Sequence, residues 1–144
     1  MIGIIVTGHG HFPSGLFSAV SLVAGKPERA EAVDFTEGMS QAELREELEA
    51  AVNRLESEEI LILADLVGGT PFNTAASLRT DRQDKSIKVV AGVNMPALVE
   101  AVFSRSMFGL DQLTENLLKA GRDGLVNLDG MENGETKPEF EDGL

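Results

Sequence analysis

Apolar positions along this chain follow two spacings in turn. Ile2 to Val6 is a near-continuous apolar run rich in β-branched residues, the pattern of a strand buried on both faces. From Pro13 the interval changes, and Leu16, Phe17, Val20 and Val23 recur at helical spacing until Gly25-Lys26-Pro27 ends them. Ala32 to Phe35 predicts a short second strand. Ser40 reads as a helix N-cap with Glu43 as its capping-box partner, and Leu44, Leu48, Ala51 and Leu55 give that helix one apolar stripe among glutamates. Ile60 to Ala64 predicts a third strand ending at Asp65, after which Gly68-Gly69-Thr70-Pro71 opens a helix over about residues 71–79. Ile87 to Ala91 predicts a fourth strand. Gly92-Val93-Asn94-Met95-Pro96 then leads into a helix through Phe103, and a further helix covers about residues 110–120. Leu125 to Leu128 reads as a last short strand. Residues 131–144 hold five acids, two glycines and a proline with almost no core formers, which reads as a disordered acidic tail or the stub of a linker.

Strands alternating with helices imply an α/β domain whose parallel sheet is covered on both faces. In such sheets the working site lies beyond the carboxyl ends of the strands, near a switch in strand order. The segments leaving strands one, three and four are therefore expected to meet at one edge. They are Gly8 to His11, Asp65 to Pro71, and Gly92 to Pro96.

Composition narrows the partners. The 144 residues fit one domain, and 42% hydrophobic content is ordinary for a globular chain. A net charge of −12 argues against nucleic acid or an anionic membrane surface and favours a basic protein partner, with solubility as the plainer use of the acids. No apolar run approaches the roughly 18 residues that span a bilayer. The first run lacks a preceding basic segment and is not read as a signal peptide. With no cysteine, disulfides and thiol chemistry are excluded, which fits a reducing, cytoplasmic setting.

The two histidines of the chain, His9 and His11, both follow the first strand. Each of the three edge segments enters a helix with proline near its first turn, and helix N-termini present unpaired N–H groups and partial positive charge to an anion. Side-chain cations are missing nearby: no Lys or Arg precedes Lys26, and none lies between Arg54 and Arg79. A phosphate bound here would rest on backbone amides around Gly10, Gly68 and Gly69, helped by the Ser14 or Thr70 hydroxyl. The Gly-Lys-Ser/Thr ending of a nucleotide P-loop is absent, and the glycine spacing fails the dinucleotide fingerprint. His9 can act as a base, a metal ligand or a nucleophile. Metal binding is the weaker reading, because no further His or Cys completes a zinc site. Asp65 is placed to accept from one ring nitrogen, fixing the tautomer and freeing the other nitrogen for a phosphoryl group. A reversible anion-binding module without catalysis, or a hydrolase using His9 as base, remain alternatives on the residues alone.

Gly8-His9-Gly10, Asp65 followed by Gly68-Gly69-Thr70-Pro71-Phe72-Asn73, and Ala91 to Pro96 resemble, in order, the mannose-type enzyme IIA of the bacterial phosphoenolpyruvate-dependent sugar phosphotransferase system. The resemblance covers about residues 1–130. It implies a doubly wound fold, usually a homodimer whose short C-terminal strand is exchanged between subunits, and no cofactor. It further implies that His9 takes a phosphoryl group on Nε2 from the histidine phosphocarrier protein, with Asp65 holding Nδ1 and Thr70 near the phosphate. The group would then pass to an enzyme IIB subunit, serving the membrane IIC and IID subunits, so that the chain sits in the cytoplasm or at the membrane through that complex. A related domain donates phosphate to dihydroxyacetone kinase, which the motifs leave open.

Overall fold

The computed structural model describes residues 1–132. In chain order the elements are β1 (Gly3–His9), α1 (Phe12–Ala24), β2 (Ala30–Phe35), α2 (Gln41–Leu55), β3 (Glu59–Ala64), α3 (Thr70–Asp81), β4 (Ser86–Val90), α4 (Met95–Ser104), α5 (Leu110–Asp123) and α6 (Leu128–Glu132). The four strands form one sheet in the order β2-β1-β3-β4, with every neighbouring pair parallel.

Period-two alternation divides each central strand between two cores. Ile4, Val6, Leu61 and Leu63 pack against Val20, Leu98, Leu113 and Leu117 on the side of α1, α4 and α5. Ile5, Ile60 and Ile62 pack against Leu44, Leu48, Ala75 and Leu78 on the side of α2 and α3. Both central strands are thus covered on both faces, and each large side chain so buried contributes roughly 1.5–3 kcal/mol of transfer free energy. The capping box of α2 is complete: the Ser40 hydroxyl accepts from the Glu43 N–H, and the Glu43 carboxylate accepts from the Ser40 N–H.

From β1 the chain steps to β2 on one side, whereas β3 and β4 lie on the other. The order therefore reverses between β1 and β3, and the crevice at their carboxyl ends is the switch point of the sheet. Pairing continues beyond the apolar run, because the buried Thr7 hydroxyl donates to the Val33 carbonyl and His9 still registers with Phe35 of β2. His9 is consequently the last residue of β1 rather than a residue of the following loop.

One expected element is corrected. Leu125 to Asn127 has no regular structure, and Leu128 begins α6, so the short C-terminal strand does not form within the single chain. The Asn127 side chain accepts from the Asp129 N–H and its carbonyl meets the Met131 N–H, so it starts a helical turn where a strand was expected. Of the tail expected over residues 131–144, Met131 instead belongs to α6 and is buried; residues 133–144 lie outside the described residues.

Candidate functional site

Strand register brings the first two candidates together. β1 ends at His9, and Asp65 follows the last residue of its neighbour β3. The Oδ2 atom of Asp65 accepts from the His9 backbone N–H at 2.9 Å and lies 2.8 Å from Nδ1 of the ring. Partial burial pushes the Asp65 carboxyl up. The two hydrogen bonds from His9 and its charge outweigh that effect and hold the group below the usual carboxylate value. Asp65 is therefore ionised near neutrality, so Nδ1 carries a hydrogen toward it, and in the neutral ring the lone pair lies on Nε2. The ring is open to solvent, with the His9 side chain 48% exposed against 15% for Asp65. Phe35 meets it edge-on, with ring centroids 6.1 Å apart at 68°.

Two glycines make this geometry possible. A Cβ at Gly8 would sit 2.8 Å from the Asp65 carboxyl carbon, so only a bare backbone lets that carboxylate reach His9. A Cβ at Gly69 would sit 2.8 Å from Cε1 and 3.5 Å from Nε2 of His9. Gly69 is the N-cap of α3 and has no capping side chain; Thr70 and Pro71 follow as the first helical residues. The His9 ring thus takes the space that a capping side chain at position 69 would need. The positive end of α3 lies beside it without a built-in acceptor.

The remaining expected phosphate ligands are engaged elsewhere. Gly10, at φ +59, turns the chain into α1, and its N–H donates to the Phe35 carbonyl at 2.8 Å. Ser14 donates its N–H to Asp34 Oδ1 at 2.9 Å and its hydroxyl to Asp34 Oδ2 at 2.7 Å. The Gly10 amide and the Ser14 hydroxyl, both expected at a phosphate, are thus taken by Phe35 and Asp34. His11 joins this second cluster, with Nδ1 3.0 Å from Asp34 Oδ2, and points away from the His9 pair. The third segment abuts the end of β3 through a hydrogen bond from the Val93 N–H to the Ala64 carbonyl. Its Asn94 side chain instead caps α4 at Ala97 and donates to Gly121 of α5. Of the three helix ends at this edge, that of α3 starts at the glycine that lies against the His9 ring.

Asp34 is the residue that sequence reading missed. Partial burial raises its carboxyl, but the Ser14 and His11 hydrogen bonds more than compensate and hold it low. A signal existed: an acid at the end of the strand on the other side of β1 stands to Gly8 much as Asp65 does, since Gly8 registers with Asp34. Among the described residues no group of three or more His, Asp or Glu side chains is arranged to hold a metal ion.

The chain is similar to known proteins in sequence and in fold. A protein-family model described as EIIA-man, PTS system fructose IIA component, matches residues 3–118. The PTS system fructose-specific EIIA component of Bacillus subtilis (strain 168) is 36% identical over 118 residues, covering 81% of this chain and 80% of that protein. The PTS system mannose-specific EIIAB component of Escherichia coli (strain K12) is 31% identical over 129 residues, which are 88% of this chain but 39% of that longer protein. The crystal structure of phosphotransferase system component EIIA from Streptococcus agalactiae superposes with a TM-score of 0.85 at 41% identity, covering 90% of this chain and 98% of that one.

Proposed function

Since this chain belongs to the EIIA-man family of sugar phosphotransferase-system IIA components, we propose that His9 is its phosphoryl-carrying residue. Members of the family are phosphotransferase subunits that work between a phosphocarrier and a IIB component in sugar uptake. The observation that supports His9 is its pairing with Asp65 at 2.8 Å, while its far edge faces the uncapped start of α3.

The step follows from the tautomer. The Nε2 lone pair attacks the phosphorus of a phosphohistidine on the histidine phosphocarrier protein. A bond from Nε2 to phosphorus forms as the donor's bond from nitrogen to phosphorus breaks, and the electron pair of the broken bond stays on the departing donor ring. No proton needs to move, since Nδ1 keeps its hydrogen. The positive charge gathering on the His9 ring is stabilised by Asp65, and the oxygens of the group in flight are met by the first amides of α3. The reverse geometry hands the group to a histidine of the IIB subunit, which serves the membrane IIC and IID subunits.

Gly68, Gly69 and Thr70 form the phosphoryl-facing turn, and Asp65 orients the ring. The functional unit is the domain of residues 1–130, acting in the cytoplasm. Among the described residues no helix is long and apolar enough to cross a membrane. The unit acts as a homodimer in which residues 125–128 add to the β4 edge of a second copy. Leu125, Val126 and Leu128 are 86%, 55% and 62% exposed in the single chain, which supports this assembly.

The decisive experiment is phosphorylation by phosphoenolpyruvate, enzyme I and the histidine phosphocarrier. One acid-labile phosphoryl group is expected per chain, lost in His9→Ala and retained in His11→Ala. Label that survives His9→Ala removes the assignment, and reversible phosphate binding without label would point to a non-catalytic module.

A further inference from the structure

Resting on the reading of His9 as phosphoryl acceptor, we infer that Asn73 is a positioning residue that aims the Gly69 amide at the transferring group, beside the Thr70 amide that the helix itself holds. Asn73 grips two consecutive carbonyls of the turn into α3. Its side-chain Nδ2 donates to the Gly68 carbonyl at 3.1 Å, and its main-chain N–H makes the regular first helical bond of α3 to the Gly69 carbonyl at 2.9 Å. No described peptide bond is cis. In a trans peptide the carbonyl and the following N–H point in opposite directions. Holding the Gly68 carbonyl toward Asn73 therefore turns the Gly69 N–H away from it, and holding the Gly69 carbonyl does the same for Thr70. Two successive amides are thus presented at the open end of α3, on the residue whose absent Cβ leaves room for the His9 ring.

The Gly69 amide is poorly committed within the turn. Its N–H meets the Leu66 carbonyl at 3.4 Å, beyond the usual range, so a phosphoryl oxygen would compete for it with little loss. The need for a clamp follows from the turn's composition. Gly68 stands at φ +79, and a Gly-Gly pair has the largest conformational freedom of any dipeptide. Donors that must be preorganised for a charge that develops in flight cannot sit on a loose backbone. Asn73 itself is exposed, lies outside both cores, and reaches the reaction through Gly68 and Gly69.

The test uses Asn73→Ala, which removes the donor, and Asn73→Asp, which keeps the shape but cannot donate to a carbonyl. Both are measured beside the parent for transfer from the phosphorylated histidine carrier and for backbone amide shifts of Gly69 and Thr70. The parent amides should shift strongly on phosphorylation of His9. Both variants should still take label at His9 and keep the parent's melting behaviour. Their kcat should fall about tenfold or more with KM little changed, as expected for donors that act on the group in flight, and their Gly69 shift should shrink. Variants matching the parent in kcat, or parent amides that do not respond to phosphorylation, would overturn the role of Asn73 while leaving His9 in place. A parent that takes no label at His9 would instead strike the underlying reading.

Discussion

Gly8 shows how much a missing atom can decide. Its place beside Asp65 leaves no room for a methyl group, since a Cβ there would lie 2.8 Å from the carboxyl carbon. Gly8→Ala should push Asp65 off Nδ1, release the tautomer, and slow phosphoryl transfer by about tenfold or more. Nitrogen-15 shifts of the His9 ring would report the loss of the Nδ1–H form, and an unchanged ring spectrum would contradict this account. Asp34 makes a different prediction. Its folded-state pKa lies below the ordinary 3.8, so as pH falls the unfolded chain takes up the proton first. The stability it contributes is therefore present above about pH 4 and lost as pH drops through the folded value. Asp34→Asn should cost about 1–3 kcal/mol in urea titration at pH 7. That gap should narrow as pH falls below 3.8; a gap independent of pH would show that the carboxylate charge is irrelevant. His9, Asp65 and the Gly-Gly turn were legible because residue types with chemical meaning stood at strand ends. The real partners of Gly10 and Ser14 were not legible, because a sequence lists donors without saying which acceptor folds against them.

At the scale of elements, patterning performed well where burial is two-sided. The β-branched runs of β1 and β3 and the capping box and apolar stripe of α2 all formed as their periodicities imply. The stretch after α5 did not. Leu125-Val126-Asn127-Leu128 has strand-like composition, yet a strand requires a neighbour and none pairs with it among the described residues. A local cap at Asn127 prevails, and the apolar side chains stay in solvent. The α1 terminus likewise looked like an anion site from its Pro13 and Ser14. It is occupied internally by Asp34, a carboxylate already serving as the anion at that helix end. The start of α3 differs: its N-cap Gly69 carries no side chain and lies against the His9 ring.

For the whole molecule, the sheet order places a histidine and an aspartate from strands far apart in sequence on either side of the switch point. The opposite end of the sheet is tied by Arg105, whose buried guanidinium donates to the carbonyls of Ile2, Glu28 and Arg29. The exposed apolar stretch from Leu125 and the open β4 edge lead to the last prediction. Sedimentation should give twice the 15.4 kDa chain mass, and Val126→Asp should shift the population toward single chains. A parent that stays at the single-chain mass across the micromolar range would exclude the exchanged strand.

Local order was written in the chain itself: which segments pair or coil, where helices begin, and which imidazole and carboxylate have reactive potential. Short-range forces set these features, through side-chain period, capping and the backbone freedom of glycine. Three-dimensional packing settled the acceptors that the sequence left open. It kept Asp65 at the His9 ring as the strand ends imply, but it gave Asp34 to His11 and Ser14 and set the bare Gly69 cap of α3 against His9. Such choices depend on ångström-scale distances between segments 20 to 56 residues apart, and no local rule encodes those distances.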